Sequence, residues 1–183
     1  MALWRERIRP RAAWAWGAVA ALALFGLPDC RASEGGCASG EACSCSGGDE
    51  CDLGCDGDGC QEDCHSVGER CGNVCGNNCG QVCHDVTTCT SYCGDNCAID
   101  CHSVSTCAVI CGAGCNYQCT NASTCGVEAG AGSTITCTSI AACDVQCTGT
   151  CKVTCNSVSA CNVTCPNGPP STCSDGSFAC GGC

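Results

Sequence analysis

The sequence predicts an all-β protein: a disulfide-stapled parallel β-solenoid with 18-residue coils and a loop-rich N-terminal cap. Three observations carry this reading. First, the cysteines recur at a fixed interval. Cys71, Cys89, Cys107, Cys125, Cys143 and Cys161 stand eighteen residues apart, and so do Cys83, Cys101, Cys119, Cys137, Cys155 and Cys173. A short fixed period marks a solenoid, whose coils bury their inner face only against neighbouring coils. Second, "CAVIC" (107–111), "CDVQC" (143–147) and "CNVTC" (161–165) alternate Cys and Val with polar or variable residues, the period of a strand. Third, turns rich in Gly and Asn follow these stretches, as in "GNN" (76–78) and "GDN" (94–96). The coils lack strong helix formers and consist mostly of Gly, Ser, Thr, Asn, Val and Cys.

Residues 1–32 read as a signal peptide. Arg5, Arg7, Arg9 and Arg11 precede the apolar run 12–27, which is short for a membrane span, and cleavage is expected after Ala32. Acylation of Cys30 as a lipoprotein anchor is the other reading, but Asp29 fits poorly where that signal needs a small residue. The expected location is therefore secreted, extracellular or at the cell surface, through periplasmic transit. The mature chain carries no expected transmembrane segment. It keeps two basic residues, Arg70 and Lys152, against sixteen acidic ones, so nucleic acid is not an expected partner. Its aromatics are Tyr92, Tyr117 and Phe178, too few for a core of large apolar side chains. Covalent staples must take that place.

Residues 33–63 form an acidic Cys/Gly-rich N-terminal segment, 64–173 the solenoid repeats, and 174–183 a C-terminal tail. An even set of cysteines behind an export signal reads as a disulfide framework. Two Cys four apart on one extended strand are about 13 Å apart and cannot bond. The coil 125–142 has Ala129 and Ser133 in place of its second and third Cys, a joint loss expected of bonded partners. This predicts Cys75–Cys79, Cys93–Cys97, Cys111–Cys115 and Cys147–Cys151. The first and fourth Cys are then expected to bond across each coil: Cys71–Cys83, Cys89–Cys101, Cys107–Cys119, Cys125–Cys137, Cys143–Cys155 and Cys161–Cys173. The alternative joins the fourth Cys of one coil to the first of the next, as in Cys83–Cys89. In the acidic segment Cys51–Cys64 and Cys55–Cys60 are expected. Cys37, Cys43 and Cys45 at one end, and Cys165, Cys180 and Cys183 at the other, are left over. Odd sets at both ends imply a free thiol at each end, head-to-tail self-association through terminal cysteines, or a different pairing.

His65, His84 and His102 each follow the fourth Cys of a coil, so a solenoid stacks them in one column. Imidazoles at strand spacing suit Zn²⁺ or Cu²⁺, with Asp85 alongside. The plain alternative is an outward polar column, continued by Thr120, Thr138 and Asn156. The acidic loop "CDGDGCQED" (55–63) does not match an EF-hand, because Gly54 stands where the first Asp should be. "CGGC" (180–183) has oxidoreductase spacing but no following helix, so it reads as a structural bridge. No catalytic constellation with a supporting context stands out, and no cofactor is expected.

Thr87, Thr88, Ser105, Thr106, Ser123 and Thr124 crowd one outer face. A Cys-stapled solenoid with Thr on one side resembles the insect hyperactive antifreeze proteins in architecture, and that resemblance implies ice binding. Their Thr-x-Thr spacing occurs here only in "TIT" (134–136). The expectation is thus a secreted, non-catalytic, disulfide-rich repeat protein with a structural or binding role at the cell surface or in the extracellular matrix. A metal-binding Cys-rich protein and an ice-binding rod are the alternatives.

Overall fold

The computed structural model describes residues 36–183. The expected leader, with Cys30, lies outside the described residues. Thirteen strands form one sheet wound into a parallel β-solenoid, without a helix among the described residues. They are β1 Gly36–Cys37, β2 Ala42–Ser46, β3 Glu50–Cys55, β4 Gln61–His65, β5 Arg70–Cys75, β6 Gly80–Cys93, β7 Ala98–Cys111, β8 Asn116–Thr120, β9 Thr124–Ala129, β10 Ser133–Cys147, β11 Cys151–Thr164, β12 Ser171–Thr172 and β13 Phe178–Cys180.

Register follows the sequence period. Cys83 pairs with Cys101, Cys89 with Cys107, Cys119 with Cys137, and Cys143 with Cys161, each eighteen residues on. The acidic N-terminal segment supplies four short strands that stack beneath, with Cys45 on Cys64 and Cys51 on Cys71. Inward columns repeat along the rod. One runs Gln81, Ile99, Tyr117, Ile135, Val153 and a second Ser91, Val109, Val127, Val145. The core they make is sulfur and small aliphatics, with Tyr117 its largest fully buried side chain.

Two bends shape each coil. The first is the Gly/Asn turn, where an Asx ladder climbs the rod. Asp58 Oδ1 accepts the Asn77 backbone N–H (2.7 Å), Asn77 Oδ1 accepts that of Asp95 (2.8 Å), and Asp95 Oδ1 accepts that of Ala113 (2.7 Å). These side chains satisfy turn amides that no strand can pair. Coils approach closely here: a Cβ at Gly94 would come 2.9 Å from the Gly76 carbonyl oxygen. The second bend lies two residues after each fourth Cys. Ser66, Asp85, Ser103, Asn121, Ser139 and Ser157 all take left-handed backbone, with φ of 54°, 54°, 57°, 53°, 55° and 54°. Asn, Asp and Ser tolerate this region through local side-chain hydrogen bonding.

That second bend corrects the expected bonding. The stretch between a fourth Cys and the next first Cys is folded around its corner, which brings the two Cα atoms to 6.2–6.6 Å. The bonds are Cys64–Cys71, Cys83–Cys89, Cys101–Cys107, Cys119–Cys125, Cys137–Cys143 and Cys155–Cys161. They replace the expected Cys71–Cys83, Cys89–Cys101, Cys107–Cys119, Cys125–Cys137, Cys143–Cys155 and Cys161–Cys173. One expected pair is nonetheless close: the sulfurs of Cys89, Cys101 and Cys107 lie within 4.8 Å of one another.

Across the Gly/Asn turn, Cys75–Cys79, Cys93–Cys97 and Cys147–Cys151 are bonded, as is Cys55–Cys60 in the acidic segment. Cys111 and Cys115 are not; both are buried thiols. The expected Cys51–Cys64 gives way to Cys45–Cys51 and Cys64–Cys71. Cys37 bonds Cys43, Cys165 bonds Cys180 and Cys173 bonds Cys183. Every cysteine near the ends of the described chain has an internal partner, which removes the odd thiols invoked for head-to-tail joining.

At the C-terminal end the chain reverses. β13 pairs antiparallel with β11 (Cys151 with Cys180, Val153 with Phe178), and β12 pairs with β13. Three prolines in 166–170 precede this reversal, where ladder donors are dispensable. The antiparallel flap covers the start of the β11 edge, residues 151–153, whose backbone groups would otherwise be free to pair with another chain.

Candidate functional site

β4, β6 and β7 place the three histidines in one column, His65 on His84 and His84 on His102 in register. Their rings stack, with centroids 5.2 Å apart for the first pair and 4.8 Å for the second, and planes within 9°. Residues two apart on a strand share a face, so Asp63 stands beside His65 on the outer face of β4. Asp63 Oδ1 lies 3.5 Å from His65 Nδ1 and 3.7 Å from His84 Nε2. The other nitrogen of His84, Nδ1, is 2.9 Å from Asp85 Oδ2. The three donors of Asp63, His65 and His84 lie within 4.8 Å of one another. Asp63 Oδ1 and His65 Nδ1 are shut off from solvent and have no hydrogen-bond partner.

The column thus exists, but its members are unequal. The close cluster takes in His65 and His84 and adds Asp63, which sequence reasoning did not single out for this column. His102 stacks on its edge. The missed signal was the "DCH" phrase (63–65), in which Asp and His are two apart and therefore co-facial in a strand.

Directly inside this wall lies a polar stretch of the core. Glu62, Asn73, Gln81 and Ser91 are 1–2% exposed. Gln81 Nε2 donates to Glu62 Oε2 (2.7 Å), and Ser91 Oγ donates to Gln81 Oε1. Glu62 Oε1 and both side-chain polar atoms of Asn73 have no partner. Burial, opposed by the Gln81 hydrogen bond, pushes the Glu62 carboxyl up to about 7.

Farther along, Cys111 and Cys115 adjoin the coil that carries Ala129 and Ser133. Ser133 Oγ accepts the Cys115 backbone N–H at 3.2 Å. A thiol hydrogen bond to Cys115, together with burial, holds the Cys111 proton far above the ordinary thiol range. Cys115, which gains from that same bond, is shifted the other way.

On the opposite wall a shallow groove of about 360 Å³ runs across the coils beside Tyr92 and Ile110. Val74, Tyr92 and Ile110 form an exposed apolar column, 53%, 51% and 45% exposed. The Thr column Thr88–Thr106–Thr124 gives way to Ala142 and Ala160, and Thr134 and Thr136 pair with Asn116 and Gln118 on one side. Parallel Thr-x-Thr columns therefore do not form.

The fold defines the chain as a disulfide-stapled parallel β-solenoid. No family model, curated protein or solved structure matches it. The fourteen disulfides among the described residues are the chemistry of an extracellular or otherwise oxidising compartment. Among the described residues, no helix is long and apolar enough to cross a membrane.

Proposed function

We propose that this chain is a secreted, non-catalytic rod with a structural or binding role at the cell surface or in the extracellular matrix. The observation that supports the reading is the corner bond. From Cys64 to Cys161 the same disulfide recurs at six successive corners, so the fold is locked locally and repeatedly. A bond closing so short a loop contributes about 2 kcal/mol by chain entropy. Repetition along a quasi-one-dimensional fold makes opening any one coil costly without help from a large apolar core. Such an object suits an environment with proteases and no chaperones. Its exposed Val74–Tyr92–Ile110 wall offers the apolar surface a binding role needs.

The test is fractionation of cells expressing the tagged chain, followed by proteinase K treatment with and without prior reduction. Recovery outside the cytoplasm and resistance abolished by reduction are expected. Retention in the cytoplasm, or rapid cleavage of the oxidised chain, overturns the proposal.

A further inference from the structure

We propose that Asp63, His65 and His84 form a site for one divalent transition-metal ion of the zinc class. The argument starts from donors. Two imidazole nitrogens and one carboxylate oxygen are ligands that Zn²⁺ and its first-row neighbours accept and that Ca²⁺ and Mg²⁺ do not favour. Metal–ligand bonds of 2.0–2.1 Å in a tetrahedron place donors about 3.3 Å apart. Asp63 Oδ1 stands 3.5 Å from His65 Nδ1 and 3.7 Å from His84 Nε2, and all three donors lie within 4.8 Å of one another, so closure on an ion draws the two imidazole nitrogens together and turns the stacked rings toward it.

Protonation is prepared as well. Asp85 Oδ2, 2.9 Å from His84 Nδ1, accepts that nitrogen's proton and leaves the Nε2 lone pair facing Asp63. This is the carboxylate–histidine arrangement that fixes tautomer and ring orientation behind a metal ligand. With its proton on Nε2, neutral His65 presents Nδ1 as an acceptor toward Asp63 Oδ1, and both atoms are buried and unpartnered. A cation between them satisfies both. With three protein ligands, the fourth position stays open to water or to a donor from a partner. His102, stacked on the far side of His84 at 4.8 Å, supports the ring and is not a ligand.

The experiment is calorimetric titration of Zn²⁺ into the oxidised chain, with the same titration of a Cys111→Ala/Cys115→Ser variant that removes the only free thiols among the described residues. That pair copies Ala129 and Ser133 of the next coil, so the fold has a precedent for it. One Zn²⁺ per chain is expected in both, with Ca²⁺ not competing. His65→Thr and His84→Thr install the residue that the same column carries at Thr120 and should each weaken binding more than about tenfold, as should Asp63→Asn. Asp85→Asn keeps a residue tolerant of the corner's left-handed backbone and should cost about tenfold through the lost orientation. His102→Thr should change affinity less than about twofold. Mass analysis of each variant first confirms that its disulfides are intact. Absence of binding, binding lost with the two thiols, or binding that survives His65→Thr and Asp63→Asn each overturns the proposal. A His102→Thr loss as large as that of His65→Thr moves the site to another pair and overturns it too.

Discussion

Cys83 and Cys89 are joined around Asp85, whose left-handed backbone (φ 54°) brings their Cα atoms to 6.3 Å. The same relation recurs up the rod, so the corner residue and the bond form one unit. Non-reducing peptide mapping is therefore expected to recover Cys83–Cys89 and Cys101–Cys107, and no Cys89–Cys101. Ser103→Val forces a β-branched residue into the left-handed region at a cost of about 1–2 kcal/mol. It should lower the yield of the Cys101–Cys107 peptide, whereas Ser103→Asn should leave it unchanged.

The unbonded pair gives a count. Alkylation in denaturant without reduction should add two labels, at Cys111 and Cys115, and without denaturant almost none, because both are buried. The other cysteines of 36–183 should label only after reduction. Four labels, or none, in denaturant would contradict this pairing.

The Asx ladder predicts a coupling between neighbouring turns. Asp95→Ala leaves the Ala113 amide without its 2.7 Å acceptor. A loss of about 1 kcal/mol is expected locally. Hydrogen exchange should accelerate at Ala113 and not at Asn77, whose acceptor is Asp58.

Glu62 predicts a pH dependence. Its folded-state pKa, raised by burial to about 7, exceeds the ordinary value of 4.5, so the folded chain holds its proton where the opened chain has lost it. Stability of the first coils should therefore fall as pH rises from about 4.5 to 7, by up to about 3 kcal/mol. Opening free energies of β4–β6 from hydrogen exchange, corrected for intrinsic rates and taken in chelator, should show this slope. Glu62→Gln should flatten it; an unchanged slope in that variant would exclude Glu62 as its source.

Much of this was legible in the chain. Eighteen-residue Cys columns, strand-period Val and Gly/Asn turns led directly to the coil and its register, since stacking in parallel converts sequence period into spatial column. The joint absence at Ala129 and Ser133 pointed correctly to the turn bonds Cys75–Cys79, Cys93–Cys97 and Cys147–Cys151. It overreached at Cys111 and Cys115. The corner bonds stood only as the alternative to the cross-coil pairing, although the Asn, Asp and Ser at the third position of "CHSVSTC" (101–107) and its counterparts were a local sign of left-handed backbone.

The sequence by itself determined the repeat, the inward and outward columns and the stacking of the histidines, because each follows from a residue's place relative to the recurring cysteines. The tertiary structure decided which sulfurs bond, because inside the rod several cysteines are neighbours at once and only the bent corner selects among them. It also decided that Asp63, rather than His102, completes the cluster with His65 and His84. Period places residues in columns, but the distances between donors on adjacent columns depend on side-chain direction, which no spacing encodes.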